Sequence, residues 1–184
     1  MFHFNVKSAV GLAAASLVFA VAAAAHAAET DSQLIADANR AIATFEKTDP
    51  GMRAFLQRAP GYVVFPKIGK AGLGVGGAHG DGVVYERGKP VGRAELTQVT
   101  VGTQAGAQKY AEVIVFQTPA GLANFKQGNF EFSGNVSAVA VKSGASAAAR
   151  FSNGVAVFTE AEGGAMLEAS VGGQKFSFHP FGGH

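Results

Sequence analysis

Apolar residues recur at helical spacing in two stretches near the start of the chain, then at strand spacing over most of the rest. Between residues 31 and 48, Leu34, Ala38, Ala41 and Phe45 fall on one face, with Ile35 and Ile42 beside them; Asp37, Arg40, Glu46 and Lys47 lie elsewhere. That pattern predicts an amphipathic helix. Asp49-Pro50-Gly51 ends it and opens a second helix, with Asp49 as N-cap and Met52, Phe55, Leu56 and Ala59 as the apolar face. Ala59-Pro60-Gly61 stops that helix.

After Gly61 the period changes. Residues 62–65 read as a strand, 66–72 as a loop, 73–78 as a glycine-rich strand, 79–82 as a turn, 83–86 as a strand and 87–90 as a turn. Further strands are predicted at 95–101, 111–117, 130–133, 136–141, 155–159, 165–171 and 174–178, with Gly172-Gly173 joining the last two as a hairpin. Thr118-Pro119 opens a short helix that turns Leu122 and Phe125 inward. Strands follow helices without βαβ alternation. The expected class is therefore α+β and β-rich: N-terminal helices, then an antiparallel β-sandwich or barrel-like sheet with one short inserted helix.

Residues 1–27 read as a secretory signal peptide. Lys7 supplies the positive start, an Ala-rich apolar run follows from Ala9 to Ala25, and Ala25-His26-Ala27 is a small-residue cleavage site. Residues 28–184 are then one domain, exported to a periplasm or the exterior, where a peripheral position on an outer membrane is also open. The whole chain holds 15 basic and 13 acidic residues, a formal charge of +2, and cleavage removes one of the basic residues. So small a charge excludes nucleic-acid binding driven by charge. With no Cys, disulfides, thiolate metal sites and Cys nucleophiles are excluded.

The glycine-rich run Gly72-Leu73-Gly74-Val75-Gly76-Gly77 formally contains a dinucleotide fingerprint, but strand rather than helix follows it, so it reads as a strand that bends. His79 and Asp81 read as turn residues, His179 and His184 as tail residues, and Glu160 and Glu162 as a solvated loop before Gly163-Gly164. No hydrolase or zinc-protease motif is present, no cofactor or metal is expected, and no catalysis is expected. Charge is uneven, however. Lys67, Lys70, Arg87, Lys89 and Arg93 lie close together in sequence, with only Asp81 and Glu86 among them. If their loops share one end of the sheet they form a rim for anionic headgroups; if not, they are a solvated surface.

The same stretch carries a family resemblance. Ala59-Pro60-Gly61-Tyr62-Val63-Val64-Phe65-Pro66-Lys67 is followed by the glycine-rich block from Gly69 to Gly77, by Gly80-Asp81-Gly82-Val83-Val84, and by Gly102-Thr103-Gln104-Ala105-Gly106. This ordered series resembles the SYLF domain, a lipid-binding family that includes the yeast actin-patch regulators, over about residues 31–178. Its signature positions here are Gly61, Phe65, Pro66, Gly72, Gly74, Gly76, Gly77, Gly80, Gly82, Gly102, Gln104 and Gly106. The resemblance implies a non-enzymatic protein that binds phospholipids, phosphatidylinositol among them. Lys67, Lys70, Arg87, Lys89 and Arg93 are the candidates to meet phosphate, and Ile68 and Leu73 to touch acyl chains. Cytoplasmic actin is not an expected partner of an exported chain. The competing reading is an envelope interaction module that self-associates through flat segments such as residues 143–149.

Overall fold

Two strands of unusual length organise the molecule. The computed structural model describes residues 30–128, 130–132, 136–162 and 171–182. The chain divides into two units, residues 1–33 and 34–184; of the first, only the helical residues 30–33 are described. The elements in order are α1 (residues 30–48), α2 (Met52–Arg58), β1 (Gly61–Glu86), β2 (Lys89–Phe116), α3 (Pro119–Lys126), β3 (Ala138–Ala140), α4 (Ala145–Ala148), β4 (Val155–Ala161) and β5 (Gln174–Pro180). The expected signal peptide, the first part of the strand expected at 165–171, Gly163-Gly164 and His184 lie outside the described residues.

β1 and β2 form one long antiparallel hairpin closed by Arg87 and Gly88, both at positive φ (51° and 76°). Two such residues make the turn whose twist matches that of paired strands. On its other side β2 has two partners. Gly92 to Gln98 pair with β5, and Tyr110 to Phe116 pair with β4, both antiparallel. β3 joins the outer side of β4 in parallel, so the sheet order is β1-β2-β4-β3 with β5 on the other half of β2. The α+β, β-rich class holds, and one pair departs from the wholly antiparallel expectation.

β1 also doubles back on itself. The Arg87 N–H donates to the Pro60 carbonyl at 3.2 Å, which brings the two ends of the strand side by side. A Cβ on Gly61 would sit 2.7 Å from the Tyr85 carbonyl, one on Gly82 2.8 Å from the Val64 carbonyl, and one on Gly80 2.9 Å from the Lys67 carbonyl. These glycines permit a backbone approach that no side chain would survive.

Alternation along the strands divides the core in two. On one face Val63, Phe65, Ile114 and Phe116 pack with Leu122 and Phe125 of α3 and Phe176 of β5. On the other, Val64, Val83, Val113 and Phe158 pack under Ala38 and Phe45 of α1 and Met52 and Leu56 of α2. Helices α1 and α2 therefore cover one face, and aromatic rings fill the other, where Phe125, Phe130, Phe132 and Phe176 form a connected cluster at centroid distances of 5.1–5.9 Å.

Several local expectations change. Residues 66–72 and 79–82, read as loop and turn, belong to β1, because backbone pairing with β2 continues through their glycines and lysines, with Ile68 buried among them. The strands expected at 95–101 and 111–117 are parts of one strand, β2. Residues 145–148, in the segment read as flat and self-associating, are helical. At 130–133 the described residues hold only an isolated bridge between Glu131 and Lys175. The N-cap of α2 is Gly51 rather than Asp49. The Asp49 carboxylate instead accepts N–H groups from Gly51 (3.1 Å), Gly144 (3.3 Å) and Ser146 (2.6 Å), and so ties the start of α2 to the start of α4. Thr118 does cap α3, its hydroxyl accepting from Gly121 N–H at 3.1 Å.

Candidate functional site

The glycine-rich middle of the β1–β2 hairpin carries the most exposed large apolar side chains among the described residues. Leu73 is 84% exposed, Val99 77% and Val75 65%. Register explains their company: Leu73 stands opposite Ala105, Val75 opposite Val101 and Val99 opposite Gly77. A bulge between Leu73 and Val75, with Gly74 at φ +71°, bends the strand here. A Cβ on Gly72 would collide with the backbone of Gly76, so the chain folds tightly at this point. Neither β4 nor β5 pairs with this stretch of β2, so neither covers Val99 or the Leu73 and Val75 of the facing strand.

Three lysines flank that tip. Lys67 is exposed and Lys70 half-buried on β1; Lys109 is exposed on β2, opposite Gly69. Among the described residues none of the three side chains has an ion-pair or hydrogen-bond partner. At about 3.3 Å per residue, Lys109 lies roughly 13 Å behind Leu73. Lys109 falls outside the basic cluster seen in sequence, and only the register of β1 on β2 reveals it.

The other expected basic residues are elsewhere. Lys67 sits beside Gly80, and six residues of β1 separate Gly80 from Arg87, roughly 20 Å along the strand. Arg87 and Lys89 thus occupy the opposite end of the hairpin, so the basic loops do not converge. Arg93 is committed to Asp81: its Nε donates to Oδ1 at 3.3 Å, and its Nη2 lies 3.3 Å from Oδ2. Ile68 is fully buried in the aromatic-rich half of the core, so it does not reach a bilayer; the strand's bulge before it turns the side chain inward. Leu73, by contrast, is exposed at the tip. His79 lies in a strand rather than a turn, opposite Thr97. Glu160, expected in a solvated loop, is half-buried at the end of β4 and accepts the Thr48 hydroxyl at 2.9 Å.

Of the signature positions, Gly61, Gly80 and Gly82 serve the close approach inside β1, and Phe65 is buried beneath Gly82. Gly72, Gly74, Gly76 and Gly77 shape the tip, while Pro66 sits beside the bulge that follows Phe65. Gly102, Gln104 and Gly106 lie on β2, where the partner strand bends.

Behind the tip, on the aromatic face, a polar group is enclosed. Glu112 is fully buried, and its Oε2 accepts Gln174 Nε2 at 3.1 Å. Among the described residues its Oε1, the Gln174 Oε1 and the Thr159 hydroxyl are buried without a partner. Burial pushes the Glu112 carboxyl up to about 8, with the Gln174 hydrogen bond opposing. Burial and the nearby Glu112 raise the Tyr110 phenol as well. Among the described residues no three His, Cys, Asp or Glu side chains are placed to hold a metal ion, and no helix is long and apolar enough to cross a membrane.

Comparison with known proteins agrees with the resemblance. Residues 97–179 match the SYLF family model described as Ysc84: Las17-binding protein actin regulator. That span begins in β2 and runs to the end of β5, leaving β1 outside the match. The chain is also 28% identical over 141 residues to Beta cell expansion factor A of Aeromonas veronii, covering 76% of this chain and 53% of that protein. It therefore spans about half the length of that curated relative.

Proposed function

We propose that this SYLF-domain chain binds phospholipid surfaces without catalysing a reaction, and that the tip of the β1–β2 hairpin meets the bilayer. The observation that carries the reading is the pairing of an uncovered apolar tip (Leu73, Val75 and Val99) with Lys67, Lys70 and Lys109, which have no partners among the described residues. Lipid binding is also what membership of the family suggests. A fully buried apolar side chain is worth about 1.5–3 kcal/mol, and each cation near an anionic surface about 1 kcal/mol. Neither contribution suffices alone; together they give reversible, salt-sensitive attachment. Anionic headgroups, phosphatidylinositol included, are the preferred surface. The signal-like N-terminus supports an exported chain, for which cytoplasmic actin is out of reach.

Co-sedimentation with vesicles tests this. Binding should rise with the anionic lipid fraction and fall with salt. Equal binding to neutral and anionic vesicles removes the lysine contribution; no binding to either, with a stable lipid-free oligomer by light scattering, favours the envelope interaction module instead.

A further inference from the structure

A cleft of about 570 Å³ opens between α1 and the helix-covered face of the sheet, within residues 34–184. Its volume lies in the range of small-molecule sites. Its walls divide by charge. Lys67 comes from β1 and Lys109 from β2, whereas Glu160 and Glu162 come from the end of β4. Pairing sets their positions: Ala111 of β2 stands opposite Glu160, and the Glu162 N–H, one residue past β4, donates to the Lys109 carbonyl at 3.1 Å, so Glu162 and Lys109 are cross-strand neighbours while Lys67 and Glu160 mark the two outer walls. On the α1 side, Asp37 and Arg40 pair with each other and offer little net charge. One carboxylate oxygen of Glu160 takes the Thr48 hydroxyl, and the other is buried with no partner among the described residues. A buried acceptor without a donor is a costly feature unless something supplies the donor.

We propose that this cleft holds a zwitterion carrying a phosphate and a primary ammonium group, with phosphoethanolamine as its lipid form. Phosphate meets Lys67 and Lys109; the ammonium donates to Glu160 and Glu162. The spacing sets the class. Lys67 and Glu160 stand on strands two places apart in the sheet, roughly 10 Å at the backbone. With Lys109 and Glu162 side by side between them, it is this outer Lys67–Glu160 span that suits two groups separated by a short linker. A primary ammonium has three N–H donors for the carboxylates, which the trimethylammonium of phosphocholine lacks. The lipid source rests on the membrane reading above: with the tip inserted, Lys109 lies roughly 13 Å behind Leu73, at the depth of the headgroups.

Equilibrium dialysis with phosphoethanolamine, phosphocholine and inorganic phosphate, using the full chain, tests the cleft. Phosphoethanolamine should bind at least about tenfold tighter than the other two, the factor for one charge-assisted hydrogen bond. Glu160→Gln keeps the acceptor for Thr48 and should weaken phosphoethanolamine about tenfold without weakening inorganic phosphate. Lys67→Gln with Lys109→Gln should weaken all three. Equal affinity for the three probes, no binding at about 10 mM, or equal loss of phosphate binding in Glu160→Gln overturns the proposal. Vesicles of fixed anionic content, with phosphatidylethanolamine replaced by phosphatidylcholine, distinguish the source. Several-fold weaker attachment supports the lipid headgroup; no change, with dialysis unaltered, assigns the cleft to a soluble phosphorylated amine. Loss of vesicle binding in Leu73→Ser/Val75→Ser/Val99→Ser with dialysis intact separates failure of the tip from failure of the cleft.

Discussion

Gln174 donates through Nε2 to Glu112 Oε2 at 3.1 Å inside the core, joining the first residue of β5 to the second half of β2. The carboxyl it meets is held at about 8 by burial, against an ordinary 4.5. The folded protein therefore keeps a proton that the unfolded chain has released. That contribution to stability is complete below about 4.5 and is lost as the pH rises toward 8. Urea unfolding between pH 5 and 8 should show stability falling by up to about 1.4 kcal/mol per pH unit from this group. Glu112→Gln should flatten that slope and be the more stable form above pH 8. An unchanged slope in the variant would remove Glu112 as its source.

Asp49 titrates with the opposite sign. Burial raises its carboxyl, but the hydrogen bonds from Ser146, Gly51 and Gly144 outweigh burial and leave it below the usual 3.8. Its stabilisation is present above that value and is lost as the pH falls through the folded one. Asp49→Ala strands three N–H groups, two of them at the start of α4, and should cost roughly 2–4 kcal/mol in chemical unfolding. Asp49→Asn, which still offers one acceptor, should cost less.

Two glycines of β1 should respond in opposite ways. A Cβ on Gly82 would lie 2.6 Å from the Phe65 ring and 2.8 Å from the Val64 carbonyl, whereas one on Gly69 would meet nothing within 4 Å. Gly82→Ala should lower stability by about 2 kcal/mol or more, because the obstacles are a buried ring and backbone. Gly69→Ala should be neutral or stabilising by up to about 1 kcal/mol, through the unfolded chain. Thermal melts of the pair decide the matter.

Arg87 separates stability from binding. Its φ of 51° is costly for a side chain with a Cβ, so Arg87→Gly should stabilise the turn by up to about 1 kcal/mol. Because Arg87 sits at the end of the hairpin away from the tip, the same change should leave vesicle attachment nearly intact. Lys67→Gln or Lys109→Gln should weaken attachment by about fivefold, the equivalent of roughly 1 kcal/mol per cation. The reverse ranking in co-sedimentation would place the membrane surface at the turn.

The sequence by itself determined the local features. Helical spacing marked α1 and α2, Thr118-Pro119 marked α3, and alternation marked the ends of β1 and β2, because each is written in neighbouring residues. It also singled out the glycine-rich stretch and the SYLF resemblance. Tertiary structure alone decided what that stretch becomes. In sequence, residues 66–82 look like loop, strand and turn; pairing with β2 makes them one strand, since backbone hydrogen bonds need a partner strand and not an apolar side chain. The same pairing brought Lys109 and Val99 to Lys67 and Leu73, sent Arg87 and Lys89 to the far end, turned Ile68 into the core, and set Glu160 across a cleft from the lysines. Register couples residues tens of positions apart, and no local pattern records which strand will lie beside which.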